Sequence, residues 1–557
     1  MEKSRTDHIK QYAIPAAAAL IQWVIWQALG IGRAFLTYDI RAPYVWIQKG
    51  LFLFLLVSLW CFLFYVIRKA KAGDEKIRRG LTVFAVYFSI SAVVLLLLWP
   101  GTWYWDDIGV LASAKNFDLL PWQHVLSAFF QTLFLQFFPV PGGIIAVQLL
   151  IVSVIVAYAV TDLELSLFKG KSITGFRAAD ILIELIPFFL PPVLLYQYSG
   201  FRMGLYIFIE IFVLSFIICI SIREREISCP MLFFFALASA VVTTWRTEGF
   251  LYAPVIIVML VLQKKEMLSA GKKIFTVGVM LAVVFMISSF QKSATGNDDY
   301  SVVTFLRPLS EVVRAADPGK DADLLEKVNR VVDTGVILDN PDVNGEDLLW
   351  KYDLPIHEYT DEEYSDFMKA FIGLCVRYPK AVAKERIKVF IDTSAIRGRT
   401  NPTNVTGAYY LFDPDEQNDN QREFNEWEIM LNRPVSETLR QRFILFLGCL
   451  REDFSERITY RLVWDTIIPL GIIGILWVGL AVKKKWKLFI AMSAVALRIP
   501  VLFLTAPATW TMYYLSFYLI GYVSLVFIIL KMVSVKNDRK TEPWEKGRQT
   551  AASGGQD

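Results

Sequence analysis

The chain has few of the residues on which metal and redox chemistry depend. Its 557 residues include five cysteines and three histidines. The cysteines, Cys61, Cys219, Cys229, Cys375 and Cys449, form no CxxC pair and share no ligand spacing with a histidine, which argues against a zinc module or a redox dithiol. A Cys375–Cys449 disulfide is the one pairing left open. An excess of one charge is also missing, since 57 Lys and Arg stand against 53 Asp and Glu for a formal charge of +4. The basic residues sit in short clusters and form neither a stripe nor a tail, so no nucleic-acid partner is expected. No small-residue cleavage site follows the first apolar run, which therefore reads as a retained helix and not as a signal peptide. Strand-like alternation is scarce, with 408–412 the best short candidate.

Apolar sequence is plentiful. Hydrophobic residues make up 55% of the chain and aromatics 14%, and the mean hydropathy is +0.44. These values predict an all-α polytopic membrane protein, because about twenty apolar residues suffice to cross a bilayer core. Spans are expected over 14–30, 50–67, 80–99, 143–160, 178–195, 203–220, 231–245, 250–262, 274–290, 464–482, 488–505 and 511–530, about twelve crossings in all.

Lys and Arg collect on the cytoplasmic side of a membrane. The segment 68–79, R-K-A-K-A-G-D-E-K-I-R-R, is the strongest such marker. It sends the next helix outward, toward Asp106 and Asp107. If 122–138 also crossed, every later basic cluster would fall outside. Laid along the surface, it returns them all to the inside, with both termini cytoplasmic. Two membrane-parallel helices are therefore expected over 108–116 and 122–138, separated by Pro121.

The organisation expected is two leading membrane helices (1–79), a membrane module (80–290) with an outer loop (101–141), and an exoplasmic, mostly helical soluble domain (291–463). Closing spans (464–531) and a disordered cytoplasmic tail (532–557) follow. Amphipathic helices are expected at 322–332, 362–376 and 381–391.

The chemistry centres on 100–124, P-G-T-W-Y-W-D-D-I-G-V-L-A-S-A-K-N-F-D-L-L-P-W-Q-H. Asp106 and Asp107 either cap the helix that follows or form a reaction centre. In the second case apolar neighbours and mutual repulsion raise a carboxyl pKa toward that of a general base. The pair can also hold a divalent cation, Mg2+ or Mn2+. His124 is either a structural residue at a helix start or a third member of the site. Arg246, in T-T-W-R-T-E-G-F, either pairs with Glu248 or clamps a phosphate in its guanidinium fork. Arg202 and Arg307 are weaker phosphate candidates. Glu210 and Arg498 fall inside spans and must face the bundle interior, where they either pair with each other or line a lipid-phosphate cavity.

An outward helix, an acidic pair just beyond it, two surface helices and then a bundle together resemble the GT-C superfamily of membrane glycosyltransferases. W-P-G-T-W-Y-W-D-D followed by P-W-Q-H is similar, more narrowly, to a bacterial family of uncharacterised multi-pass proteins of that class. The resemblance covers mainly 80–262 and the closing A-P-A-T-W-T-M-Y-Y. The two helices before the acidic loop depart from the pattern.

The resemblance implies Asp106 or Asp107 as catalytic base and metal ligand, and Arg246 and Arg498 as donor-phosphate ligands. It also implies a polyprenyl-phosphate sugar donor and an envelope glycan, lipid or protein acceptor at the outer face of a bacterial plasma membrane. A polymerase or ligase of lipid-linked glycans and a multi-pass transporter or flippase are the alternatives.

Overall fold

The computed structural model describes residues 2–30, 43–103, 105–116, 124–168, 177–223, 226–295, 300–351, 356–394, 433–448 and 463–553. Among them every regular element is a helix, and extended pairing is limited to two isolated bridges, Thr102–Ser199 and Val332–Ile356. The strand expected at 408–412 lies outside the described residues. So does Cys449, while Cys375 is a free thiol. The disulfide left open by the sequence is therefore not formed.

Helices α1 (Glu2–Ala28), α2 (Pro43–Lys71) and α3 (Glu75–Leu98) lead into α4 (Trp105–Asn116) and α5 (Val125–Phe137). The bundle continues with α6 (Pro141–Phe168), α7 (Arg177–Leu185), α8 (Pro191–Gln197), α9 (Met203–Ile222), α10 (Cys229–Thr244), α11 (Tyr252–Val261) and α12 (Ala270–Thr295). Among the described residues seven helices are long and apolar enough to cross a membrane. The count reaches eight if α7 and α8, bent by 71° around a proline-bearing 3-10 turn, make one broken span. The chain is thus an α-helical membrane protein. Ala13–Ala28, Val125–Phe137, Cys229–Thr244, Thr247–Val261 and Ile467–Val482 are shorter apolar helices.

Ion pairs define one end of the bundle. The N-cap of α3 is Asp74, whose carboxylate accepts from the Ile77 N–H at 3.2 Å. The first turns that follow aim Lys76 at Asp162 and Arg79 at Glu164 on the last turns of α6. Arg79 binds its partner through two nitrogens, at 2.7 and 2.9 Å, so α3 and α6 are pinned antiparallel at this charged end. Arg223, just past α9, approaches Asp162 at 3.7 Å.

The opposite end carries α4 and α5. The Val125 N–H, at the start of α5, donates to the Gln291 side-chain amide oxygen Oε1 at 2.8 Å near the end of α12. At the other end of α5, the Phe138 ring lies 6.2 Å from that of Trp99, just beyond α3. Both termini of this 13-residue helix therefore meet the same end of the bundle. At 1.5 Å per residue it is about 20 Å long.

A separate helical unit is built from α13 (Tyr300–Val303), α14 (Leu306–Ala315), α15 (Ala322–Asn329), α16 (Thr334–Asp339), α17 (Gly345–Lys351), α18 (Asp361–Arg377) and α19 (Pro379–Thr393). Its own core packs Leu309, Val312, Ile337, Phe367 and Leu374. A reciprocal Thr360–Glu363 capping box starts α18. Helix α20 (Glu437–Gly448) then precedes α21 (Ile467–Val482), α22 (Trp486–Ala496), α23 (Arg498–Thr505) and α24 (Leu515–Ser553). The last helix continues past Lys531 to Ser553, where the sequence predicts a disordered tail. The stretch after Lys531 is rich in Lys, Arg and Glu, which favour helix, and it also contains Pro543 and Gly547, which do not.

Candidate functional site

The acidic loop is held from two sides. Gly101 has φ +109°, and a Cβ there would lie 2.7 Å from both the Ile145 side chain and the Tyr198 carbonyl oxygen, so only glycine fits without strain. The Thr102 N–H donates to the Tyr198 carbonyl at 2.8 Å and its hydroxyl to the Leu195 carbonyl at 2.9 Å. Fully buried Trp103 donates to the Pro100 carbonyl at 3.1 Å and lies against Gly200, where a Cβ would meet its ring at 2.3 Å. The strut 197–200 is braced in turn by Gln148, whose amide donates to the Gln197 and Ser199 carbonyls at 2.8 and 3.1 Å. From the other side, Arg440 on α20 donates to the Leu98 carbonyl at 3.3 Å and the Gly101 carbonyl at 2.9 Å.

With the loop fixed, α4 starts at Trp105, three residues before the predicted start. Both aspartates therefore sit in its first turn, where the helix dipole favours negative charge. The two have different surroundings. Asp107 is buried and accepts from the Ser199 hydroxyl at 2.8 Å, while that hydroxyl accepts from the Phe201 N–H at 2.9 Å. Asp106 is half-buried and has no hydrogen bond or ion pair among the described residues. Burial pushes its carboxyl up to about 6, with the Arg202 guanidinium pulling the other way.

His124 is the N-cap of α5, and its Nδ1 accepts from the Leu126 N–H at 3.3 Å. Burial, reinforced by Arg202, presses the imidazole down to about 3, so it is neutral. An acceptor Nδ1 leaves Nε2 as the protonated nitrogen. The histidine thus serves the helix start through one nitrogen and can offer a donor with the other. Arg202 acts electrostatically on both Asp106 and His124, and its Nε is enclosed without a hydrogen-bond partner. Asp106, Asp107, His124 and Arg202 therefore form one cluster.

The other predicted residues lie elsewhere. Arg246 is buried in an ion pair with Glu248 and makes a 3.0 Å contact with the Met203 sulfur. Arg498, fully buried, pairs with Glu210 and reaches Glu248 at 3.4 Å, and Glu210 also accepts from the Tyr252 hydroxyl at 2.7 Å. Two arginines and two glutamates thus neutralise one another inside the bundle. This is the pairing alternative of the sequence reading and not an open phosphate cavity. Arg307 is buried in the helical unit with its Nε 2.8 Å from Glu385, which corrects its reading as a phosphate ligand at the membrane loop.

Ser199, Gln148 and Arg440 were missed by sequence reasoning, being single polar residues remote in sequence from the aspartates they support. Among the described residues no group of three His, Cys, Asp or Glu could hold a metal ion. A divalent cation at this loop would rest on Asp106, with Asp107 engaged by Ser199 through one oxygen, and would need ligand oxygens from a bound substrate. Comparison of the chain with family models, with curated proteins and with solved structures yields no match.

Proposed function

We propose that the chain is a membrane glycosyltransferase that moves a sugar from a polyprenyl-phosphate donor to a hydroxyl of an envelope glycan, lipid or protein acceptor. The observation that carries this reading is Asp106. It is a half-buried carboxyl with no partner among the described residues, raised to about 6, at a membrane end of the bundle and beside an arginine with an unpartnered edge. A carboxylate so poised suits a general base near neutral pH.

In the proposed step the acceptor oxygen attacks the anomeric carbon as its proton passes to Asp106. The bond from that carbon to the phosphate oxygen breaks, and the sugar is inverted. The departing polyprenyl phosphate carries the negative charge, which Arg202 is positioned to offset. Arg202 takes over the phosphate role that the resemblance implied for Arg246 and Arg498, because those two are already neutralised by glutamates. His124 is a neutral donor at the same cluster. If Mg2+ or Mn2+ binds, it supplies charge neutralisation at the phosphate, with Asp106 as the protein ligand.

With Val125–Phe137 read as a surface helix, the other four of the five shorter apolar helices and the eight spans would make a GT-C-like bundle of twelve crossings. In that arrangement the charged end is cytoplasmic, both termini lie inside, and α4, α5 and the helical unit face outward from a bacterial plasma membrane. The buried Arg498–Glu210 pair favours transport as a second reading, since intramembrane charges mark ion and substrate paths.

The deciding experiment supplies purified, detergent-stable protein with a lipid-phosphate-linked sugar and compares Asp106→Asn and Asp107→Asn with the parent. Loss of turnover by at least about a hundredfold in Asp106→Asn is expected for removal of a general base. Full turnover in both variants, or flux through proteoliposomes without glycosyl transfer, sinks the assignment.

A further inference from the structure

Arg386, on α19 of the helical unit, is 1% exposed and ties that unit to the membrane bundle. Its Nη1 donates to the Leu504 and Ala506 carbonyl oxygens at 3.2 and 2.9 Å, capping the C-terminus of α23 with a positive charge. The opposite edge of the guanidinium, Nε with Nη2, is enclosed and has no hydrogen-bond partner. This is the edge that grips a carboxylate or phosphate through two parallel hydrogen bonds.

The neighbourhood does not neutralise it. Glu385 is engaged by Arg307 at 2.8 Å, and Arg307 itself repels Arg386. Burial presses the Arg386 guanidinium below its ordinary value, with Glu385 opposing it only in part. Tyr514 stands within electrostatic reach, and its hydroxyl makes no hydrogen bond among the described residues.

Depth decides the ligand class. The carbonyls that Arg386 caps close the apolar span Trp486–Thr505, so the guanidinium sits where hydrocarbon gives way to the polar surface. Lipid phosphates lie at that level. We infer that the free edge of Arg386, with the Tyr514 hydroxyl, is a binding site for a phosphate group at the membrane surface. It is separate from the acidic loop and belongs to the seam between the helical unit and α23. Because Arg386 also caps α23, a phosphate bound here would lock the unit onto the bundle. The inference does not depend on glycosyl transfer.

The test uses the full chain purified in a neutral maltoside, with thermal unfolding and native mass spectrometry as readouts. Three probes are added separately: dioleoyl phosphatidylglycerol in mixed micelles, inorganic phosphate, and a phosphate-free galactosyl diacylglycerol. A saturable rise in Tm with phosphatidylglycerol and none with the galactolipid is expected. Arg386→Lys keeps a cation over the two carbonyls but lacks the Nε–Nη2 edge, and should raise the half-saturating concentration about tenfold or more. A response to the lipid alone assigns a headgroup, and a response to inorganic phosphate as well assigns the phosphate group itself. If neither phosphate probe binds, or if Arg386→Lys binds as tightly as the parent, the inference is overturned. Should Arg386→Lys not fold, Tyr514→Phe leaves the cap intact and should weaken binding several-fold; unchanged binding there is equally fatal.

Discussion

The Ser199 hydroxyl bridges the Asp107 carboxylate, 2.8 Å away, and the Phe201 backbone N–H, at 2.9 Å. One hydroxyl thus joins the first turn of α4 to the strut after α8. It also divides labour within the acidic pair, because the aspartate it holds is the buried one.

Removing that hydroxyl takes one hydrogen bond from the buried Asp107 carboxylate and one from the Phe201 N–H. Ser199→Ala should cost about 1–3 kcal/mol, the usual range for hydrogen bonds lost from buried polar groups. Thermal unfolding in detergent would show it. Asp107→Asn can still accept from Ser199 and should lose less, so a larger loss there than in Ser199→Ala would contradict the anchoring role.

Asp106 should show the opposite sign. Its folded-state carboxyl lies above the ordinary 3.8, at about 6, so folding favours the protonated form. That contribution is complete below the unfolded value and fades as pH rises through about 6. At neutral pH the ionised, desolvated carboxylate is a net burden. Asp106→Asn should therefore raise Tm at pH 7.5, with the gain shrinking toward pH 4, while activity disappears. In the parent, turnover should climb with pH through the same region. A lower Tm for Asp106→Asn at pH 7.5 would count against the reading.

The Arg498–Glu210 pair should behave as a unit. Losing one buried partner strands the other, at a cost of about 3–5 kcal/mol. Arg498→Met alone should thus be severely destabilised. Adding Glu210→Gln should recover part of the loss, incompletely because Glu248 also faces Arg498 at 3.4 Å. Strict additivity in a double-mutant cycle would refute the coupling.

Gly101→Ala places a Cβ against Ile145 and the Tyr198 carbonyl at a φ of +109°. Such strain costs about 1–3 kcal/mol where it is held by surrounding structure. The variant should lose both stability and activity, whereas Gly278→Ala, whose Cβ meets nothing within 4 Å, should be silent.

The sequence carried much of the membrane architecture because hydropathy and basic clusters report on each segment locally. The same rule predicts a surface helix over 122–138, and the described α5 meets Gln291 at its start and Trp99 just past its end. It also showed that Arg498 and Glu210 must face inward. What stayed hidden is long-range. Arg386 and its cap carbonyls are 118 and 120 residues apart, and Arg440 is 339 residues from Gly101. No local pattern distinguishes such arginines from their neighbours. The arginine that acts on Asp106 also had to be found in space, since the sequence ranks Arg202 below Arg246 and leaves open whether Glu248 occupies Arg246.

The grip of Arg440 on the Leu98 and Gly101 carbonyls imposes an order on biogenesis. The acidic loop leaves the ribosome and α3 inserts long before residue 440 is made, so the loop lacks its second support until α20 has been synthesised and docked. A nascent chain truncated ahead of α20 would hold Asp106 on a loop braced only by the strut at 197–200. The finished site is therefore a late product of translation, completed by the half of the chain that contributes none of its aspartates.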